Sequence, residues 1–312
     1  MGRSSGIVVA AMIFAAAVAV WWISEPQPIP AEALPNHVPD TSAGERIFWA
    51  GGCASCHASP VDGKRAKGDD KRLLGGGLEL DTPYGVFRVP NISSHTEDGI
   101  GRWSTIEFVN AMQHGISPAN RHYYPSFPYA SYAKMTVQDV MDLRAYLATL
   151  PSVAGSVAQH TLAFPWSIRR GIGVWKRRYL STEPSIRLED TTEMFEHGRE
   201  LVEGAGHCGE CHSPRDRFGG MIKDRWLAGG PNPDGEGRIP NITPGGENIA
   251  GWSAADIAYY LESGFTPEYD TVGGSMVAVQ ENMSMLPKAD RDAIAAYLKA
   301  VPAVQDSSNA DE

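Results

Sequence analysis

Hydrophobic positions along the 312-residue chain change their period several times, and the sharpest change comes first. Residues 6 to 24, GIVVAAMIFAAAVAVWWIS, carry no charge. At about 1.5 Å rise per residue, a helix of this length nearly spans a bilayer core. The run is longer than the roughly 7–15 apolar residues of a signal peptide. It closes on Trp21 and Trp22, side chains suited to the membrane–water interface. Residues 1–24 are therefore expected to be a retained membrane anchor rather than a cleaved leader. Arg3 ahead of the span places the N-terminus in the cytoplasm and the rest outside, which in a bacterium is the periplasm. The stretch EPQPIPAEALPNHVP follows, within a Pro-rich spacer at 25–40 that would hold the next domain away from the membrane in extended form.

Beyond the spacer the apolar residues recur at helical spacing. Thr136 with Asp139 opens a helix whose Leu143, Tyr146, Leu147 and Leu150 share one face. Ser104 with Glu107, and Ser253 with Asp256, have capping-box spacing. Pro287 suits an early-turn position, where a missing N–H costs nothing. Gly44 before Phe48, and Gly198 before Val202, would let a second helix cross closely, with Tyr146 and Tyr297 as the facing residues. No segment alternates well enough to read as a strand. The expected fold is all-α, rich in loops.

The chain also repeats itself. CASCH, VPNIS, GRWSTIEF and DLRAYLATLPSV return about 150 residues later, in the same order, as CGECH, IPNIT, AGWSAADI and DAIAAYLKAVPAV. One domain is used twice, at 41–153 and 191–305, joined by a strap at 154–190 and followed by a polar tail, 306–312, expected to be disordered. Composition adds little to this: 42% hydrophobic residues are ordinary for a globular protein, and 33 Gly with 22 Pro fit loop-rich domains. A net charge of −10 argues against a nucleic-acid partner and suits a basic protein surface.

All 4 cysteines lie in the two C-x-x-C-H motifs. On one helical turn this spacing lets two thiols attach to the two vinyl groups of a haem while the following imidazole meets the iron. A zinc half-site, a dithiol redox pair or a structural disulfide would leave the adjacent histidines unexplained. The reading is two covalently bound haem c groups: Cys53 and Cys56 with His57, and Cys208 and Cys211 with His212. A methionine on the other side of each iron would make a six-coordinate electron carrier. In DTVGGSMVAVQENMSML, Gly273 and Gly274 allow close backbone approach, which favours Met276. Met283 and Met285, nearer the helix start, read as core filling. In RHYYPSFPYASYAKM the candidate is Met135, although the repeat register falls near Phe127. His122 is the bis-histidine alternative, while His95, His114 and His207 read as surface or packing residues.

The C-x-x-C-H motifs, the PNI block followed by GIGxWS, the YPxFPYxxYxxM loop and the DxxxLxAYLxxLPxV helix together resemble a known family. It comprises the dihaem and trihaem cytochrome c subunits of membrane-associated periplasmic alcohol, gluconate and related dehydrogenases. The resemblance covers about residues 41 to 305. It implies tandem class I cytochrome c domains with loop-rich haem pockets, at the bacterial inner membrane and facing the periplasm. A dehydrogenase would donate single electrons, and an oxidase, quinone or small cytochrome would accept them. The enzyme alternative, a dihaem peroxidase-like or thiosulfate-oxidising protein, would need a displaceable iron ligand or a spare cysteine. The strap segment FPWSIRRGIGVWKRRYL carries Arg169, Arg170, Lys176, Arg177 and Arg178 among aromatics. Such a strap could dock on anionic lipid or on a dehydrogenase, but packing between the two domains is the favoured reading.

Overall fold

The computed structural model describes residues 3–189, 191–232 and 237–306. The expected disordered tail lies, apart from residue 306, outside them. Helix α1 (Arg3–Ile23) projects from the molecule, and none of its apolar stretch Gly6–Ile23 is buried. By length and composition it can cross a membrane.

The first half contains α2 (Thr41–Ala50), α3 (Cys53–His57), the hairpin β1 (Glu79–Thr82) and β2 (Gly85–Arg88), α4 (Thr105–His114), α5 (Tyr129–Tyr132) and α6 (Val137–Thr149). The strap supplies β3 (Thr161–Leu162) and α7 (Gly171–Tyr179). The second half contains α8 (Glu193–Arg199), continued by a π-helical turn over Glu200–Ala205, then α9 (Gly209–His212), β4 (Gly230–Pro231) and β5 (Arg238–Ile239). It ends in α10 (Ala254–Ser263), α11 (Met276–Met283) and α12 (Lys288–Ala300).

The helix starts follow their local chemistry. Ser104 and Ser253 each form a full capping box, with Glu107 and Asp256, and Thr136 accepts from the Asp139 amide. Pro287 sits one step earlier than expected, at the N-cap of α12. Both halves are built on the same crossing of first and last helix. A Cβ on Gly44 would lie 2.1 Å from the Asp142 carbonyl oxygen and 2.8 Å from Tyr146 Cβ. On Gly198 it would lie 2.0 Å from the Ala293 carbonyl oxygen and 2.9 Å from Tyr297 Cβ. Around these crossings Phe48, Leu143 and Leu147, and in the second half Phe195, Val202 and Leu298, join one continuous core.

Two expectations need correction. Short strands are present: β1, β2 and β3 form an antiparallel sheet, and β4 pairs with β5. Their pattern was invisible because β1 and β2 bury only Phe87, so no apolar alternation develops. The spacer does not stand free either. The Ile29 amide and carbonyl pair with the Asn110 side chain at 2.8 and 3.0 Å, and His37 donates to Asp142 at 2.6 Å, so residues 25–40 lie against the first half.

The halves also bond to each other. Arg46 pairs with Asp290 across the interface at 2.8 Å, and His197, from Asp290's own half, donates to the same carboxylate at 2.8 Å. Ser131 reaches Glu210, inside the second motif, at 2.7 Å, and Asn282 reaches Ser55, inside the first, at 2.7 Å. Each half thus uses the segment before its last helix to touch the other half's C-x-x-C-H turn.

Candidate haem sites

Each motif begins where the preceding helix stops. In the first half Gly52, at φ +56°, turns the chain from α2 into α3. The corresponding residue of the second half is His207, held at φ +39° with its Nε2 donating to the Gly51 carbonyl across the interface at 3.2 Å. That bond offsets the strain of a left-handed non-glycine residue. Among the described residues no disulfide forms, and all four cysteines stay in their helical turns. Burial, then the neighbouring thiol, pushes Cys53 and Cys208 each up to about 12.

The histidines are oriented identically. His57 Nδ1 lies 2.9 Å from the Pro90 carbonyl oxygen, and His212 Nδ1 lies 2.8 Å from that of Pro240. A carbonyl only accepts, so Nδ1 carries the proton and Nε2 keeps its lone pair, as a metal-ligating imidazole requires. Surrounding protein desolvates both rings and holds them below the ordinary histidine range, in the neutral form, against the opposing pull of the carbonyl. The two prolines belong to the repeated PNI block, and the next residue anchors that block. Asn91 donates to the Val153 carbonyl at 2.8 Å and accepts from the Ser93 amide. Asn241 does the same with Val304, at 2.7 Å, and the Thr243 amide. The proximal carbonyls were missed in reading the sequence, yet the repeated PNI block was their signal.

The predicted distal residues fall in different settings. Met135 is buried just ahead of α6, with its carbonyl accepting from Gln113 at 2.7 Å; a Cβ on Gly204 of the second half would lie 3.0 Å from its side chain. Phe127, where the repeat register points, is ringed by Tyr123, Tyr129 and Tyr132 at 5.7, 6.3 and 5.6 Å. Tyr132 is buried, and its hydroxyl is held well above the usual range, first by that burial and then by Cys53, Cys56 and Glu210. His122 is committed elsewhere, its Nε2 donating to the Ser24 carbonyl at 2.9 Å. In the second half Met276 opens α11 behind Gly274, whose φ is +59°, and packs partly buried on the core. Met283 is buried as expected, but Met285 is 52% exposed and fills no core.

Residues 41–151 match the cytochrome c family model. The chain is 51% identical over 296 residues to a "Diheme cytochrome c-type" protein of Cereibacter sphaeroides, covering 95% of this chain and 97% of that one. The chain belongs to the dihaem c-type cytochrome family. This cytochrome is also 34% identical over 291 residues to the fructose dehydrogenase cytochrome subunit of Gluconobacter japonicus. It is 30% identical over 282 residues to the gluconate 2-dehydrogenase cytochrome c subunit of Pantoea cypripedii. Those matches take in 90% and 83% of this chain but 56% and 59% of the subunits, so the cytochrome spans a little over half their length.

Proposed function

We propose that the protein is a membrane-anchored periplasmic relay, taking single electrons from a dehydrogenase and passing them to an oxidase, a quinone or a small cytochrome. It is an electron-transfer cytochrome with two covalently bound haem c groups, like the relatives it matches along most of its length. When bound, each haem supplies one reversible one-electron couple, whose potential is tuned by its axial ligands and by burial. The reading assigns the residues by half. Cys53 and Cys56 attach the first group and Cys208 and Cys211 the second; His57 and His212 are the proximal ligands, and Met135 and Met276 the distal ones. In this reading residues 41–153 and 191–305 are tandem class I cytochrome c domains.

The observation that carries the reading is the duplicated histidine–proline carbonyl bond, which leaves Nε2 of His57 and of His212 with a lone pair free to ligate. The other chain groups orient and exclude water. Asn91 and Asn241 hold the carbonyl-bearing loops in place, and Phe127 with its tyrosines keeps solvent from the buried Met135.

Support for a retained anchor comes from the end of α1. Ser24 is 1% exposed, and its carbonyl accepts from His122. Arg170 and Arg177 donate to the carbonyls of Trp21 and Ile23 at 2.7 and 2.6 Å. Cleavage here would remove the acceptors of the buried His122, the half-buried Arg170 and the exposed Arg177. The test is spectroscopic. The oxidised wild type should show the far-red sulfur-to-iron band for two haems, and Met135→Ala and Met276→Ala should each halve it. A band unchanged in Met135→Ala would remove that residue from the ligand set.

A further inference from the structure

The strap joins the two halves at the end of the membrane helix. Arg170 donates to the Trp21 carbonyl and to Ser24 Oγ, and its guanidinium stacks over the Trp21 ring at 4.2 Å. Gly173 is packed so tightly that a Cβ there would lie 2.4 Å from the Ser24 carbonyl oxygen. The other side of the strap is bonded to the first half. Arg169 donates to the His122 carbonyl at 2.9 Å, the Trp166 carbonyl accepts from Tyr124 at 2.9 Å, and Lys176 donates to the carbonyls of His114 and Gly115. Strap, helix end and first half therefore hold one fixed relation.

Between these bonds the strap exposes a compact apolar turn. Phe164 is 81% exposed, Trp166 51% and Ile168 53%, and all three precede Arg170 by six residues or fewer. Val174, Arg177 and Arg178 are exposed on the helix that follows. A soluble surface has no use for Phe, Trp and Ile crowded into one turn. Aromatic and aliphatic side chains beside arginines suit the headgroup–acyl boundary of a bilayer, where rings lie at headgroup depth and guanidinium groups meet phosphates. Trp21 and Trp22 already mark that depth on α1, and Arg170 ties the strap to the first of them.

We infer that the turn 164–168 is a second membrane contact: its apolar side chains enter the outer-leaflet interface beside the exit of α1, and Arg177 and Arg178 face the lipid phosphates. The partner is the lipid bilayer itself. The inference rests on the reading of α1 as a retained anchor. It gives the strap a purpose beyond joining the halves, because two contacts set the tilt of the haem domains and keep the first half nearest the membrane.

Photo-crosslinking in vesicles of phosphatidylethanolamine and phosphatidylglycerol separates the two readings. Benzoylphenylalanine is placed singly at Phe164, Ile168, Ile13 and Tyr269 of the full holo-protein, with the haem spectrum checked in each. Lipid adducts at positions 164 and 168 are expected at about five-fold or more above position 269, an exposed residue with no bonded link to α1. Adducts at position 13 with none at 164 and 168 overturn the inference and leave the anchor standing. No adduct at position 13 overturns the anchor and the inference with it. In native membranes, a protein adduct at 164 in place of lipid assigns the turn to a docked subunit and overturns the inference.

Discussion

The segment leading into the last helix differs sharply between the halves. In the first, Tyr123, Phe127, Tyr129 and Tyr132 meet edge to face, and Lys176 of the strap lies 4.9 Å over the Tyr129 ring. In the second, residues 270–285 hold no aromatic, and Val277 and Met285 stay exposed. On the histidine side the halves match: the same proline carbonyl, the same asparagine lock and the same glycine crossing. The constraint that orients each imidazole is local and was copied whole. The opposite wall was filled according to its neighbours. The strap meets the first half's wall through Lys176, whereas it meets the second half elsewhere, at Phe218 and Asp216 through Trp175 and Tyr179.

The most severe way to probe the matched part is to fill the crossing. Gly44→Val and Gly198→Val would each place a Cβ about 2 Å from a backbone oxygen, forcing the helices apart. Each should cost roughly 3 kcal/mol or more, read by denaturant unfolding and by loss of haem from the altered half. A mild cost in one half and a large cost in the other would break the claimed equivalence.

A second test uses positions that correspond but should respond differently. Asp290, the third residue of α12, accepts from Arg46 across the interface and from His197 within its own half, and these partners hold its carboxyl below the usual range against the opposing effect of burial. Asp139, at the same place in α6, faces Glu200 instead, whose carboxyl is raised first by burial and then by Asp139. Asp290→Asn should cost about 2 kcal/mol, because Arg46 and His197 lose a buried counter-charge. Asp139→Asn should change stability by no more than about 0.5 kcal/mol, relieving a like-charge contact. Equal costs in parallel denaturant titrations would show that the interface charges are symmetric after all.

The smallest expected loss of stability should come from the strap. Lys176 is pulled from its ordinary 10.5 down to about 7 by burial, although the carbonyls of His114 and Gly115 favour its charged form. Between those values the unfolded chain holds one more proton than the native one, so stability from this group rises with pH through the window. Lys176→Met should flatten that rise and cost about 1 kcal/mol at neutral pH. Hydrogen exchange should locate the loss in α4, with α10 unchanged. Equal loosening of α10 would mean that the strap does not distinguish the halves.

Much of the site was legible because its chemistry is written in short spacings. C-x-x-C-H, the capping boxes, the positions of Gly44 and Gly198 and the repeated PNI block each need only a few consecutive residues. The hairpin at 79–88 escaped because one buried side chain makes no period. Packing of the spacer on Asn110 and Asp142 escaped because polar partners some eighty to a hundred residues apart leave no pattern in the chain. Met285 was misjudged for a related reason: hydropathy says that a thioether can be buried, not that a wall is there to cover it.

By itself, then, the sequence determined the apolar span, the repeated blocks, the two C-x-x-C-H motifs, and where the main helices begin, all properties carried by adjacent residues. Tertiary structure decided which nitrogen of His57 and His212 is left for a metal. It also decided that His122 bonds the end of the N-terminal apolar helix, that Arg170 and Arg177 cap that helix, and that each half touches the other's motif. These outcomes rest on hydrogen bonds between segments far apart in the chain, and such partners exist only once packing has brought their donors and acceptors together.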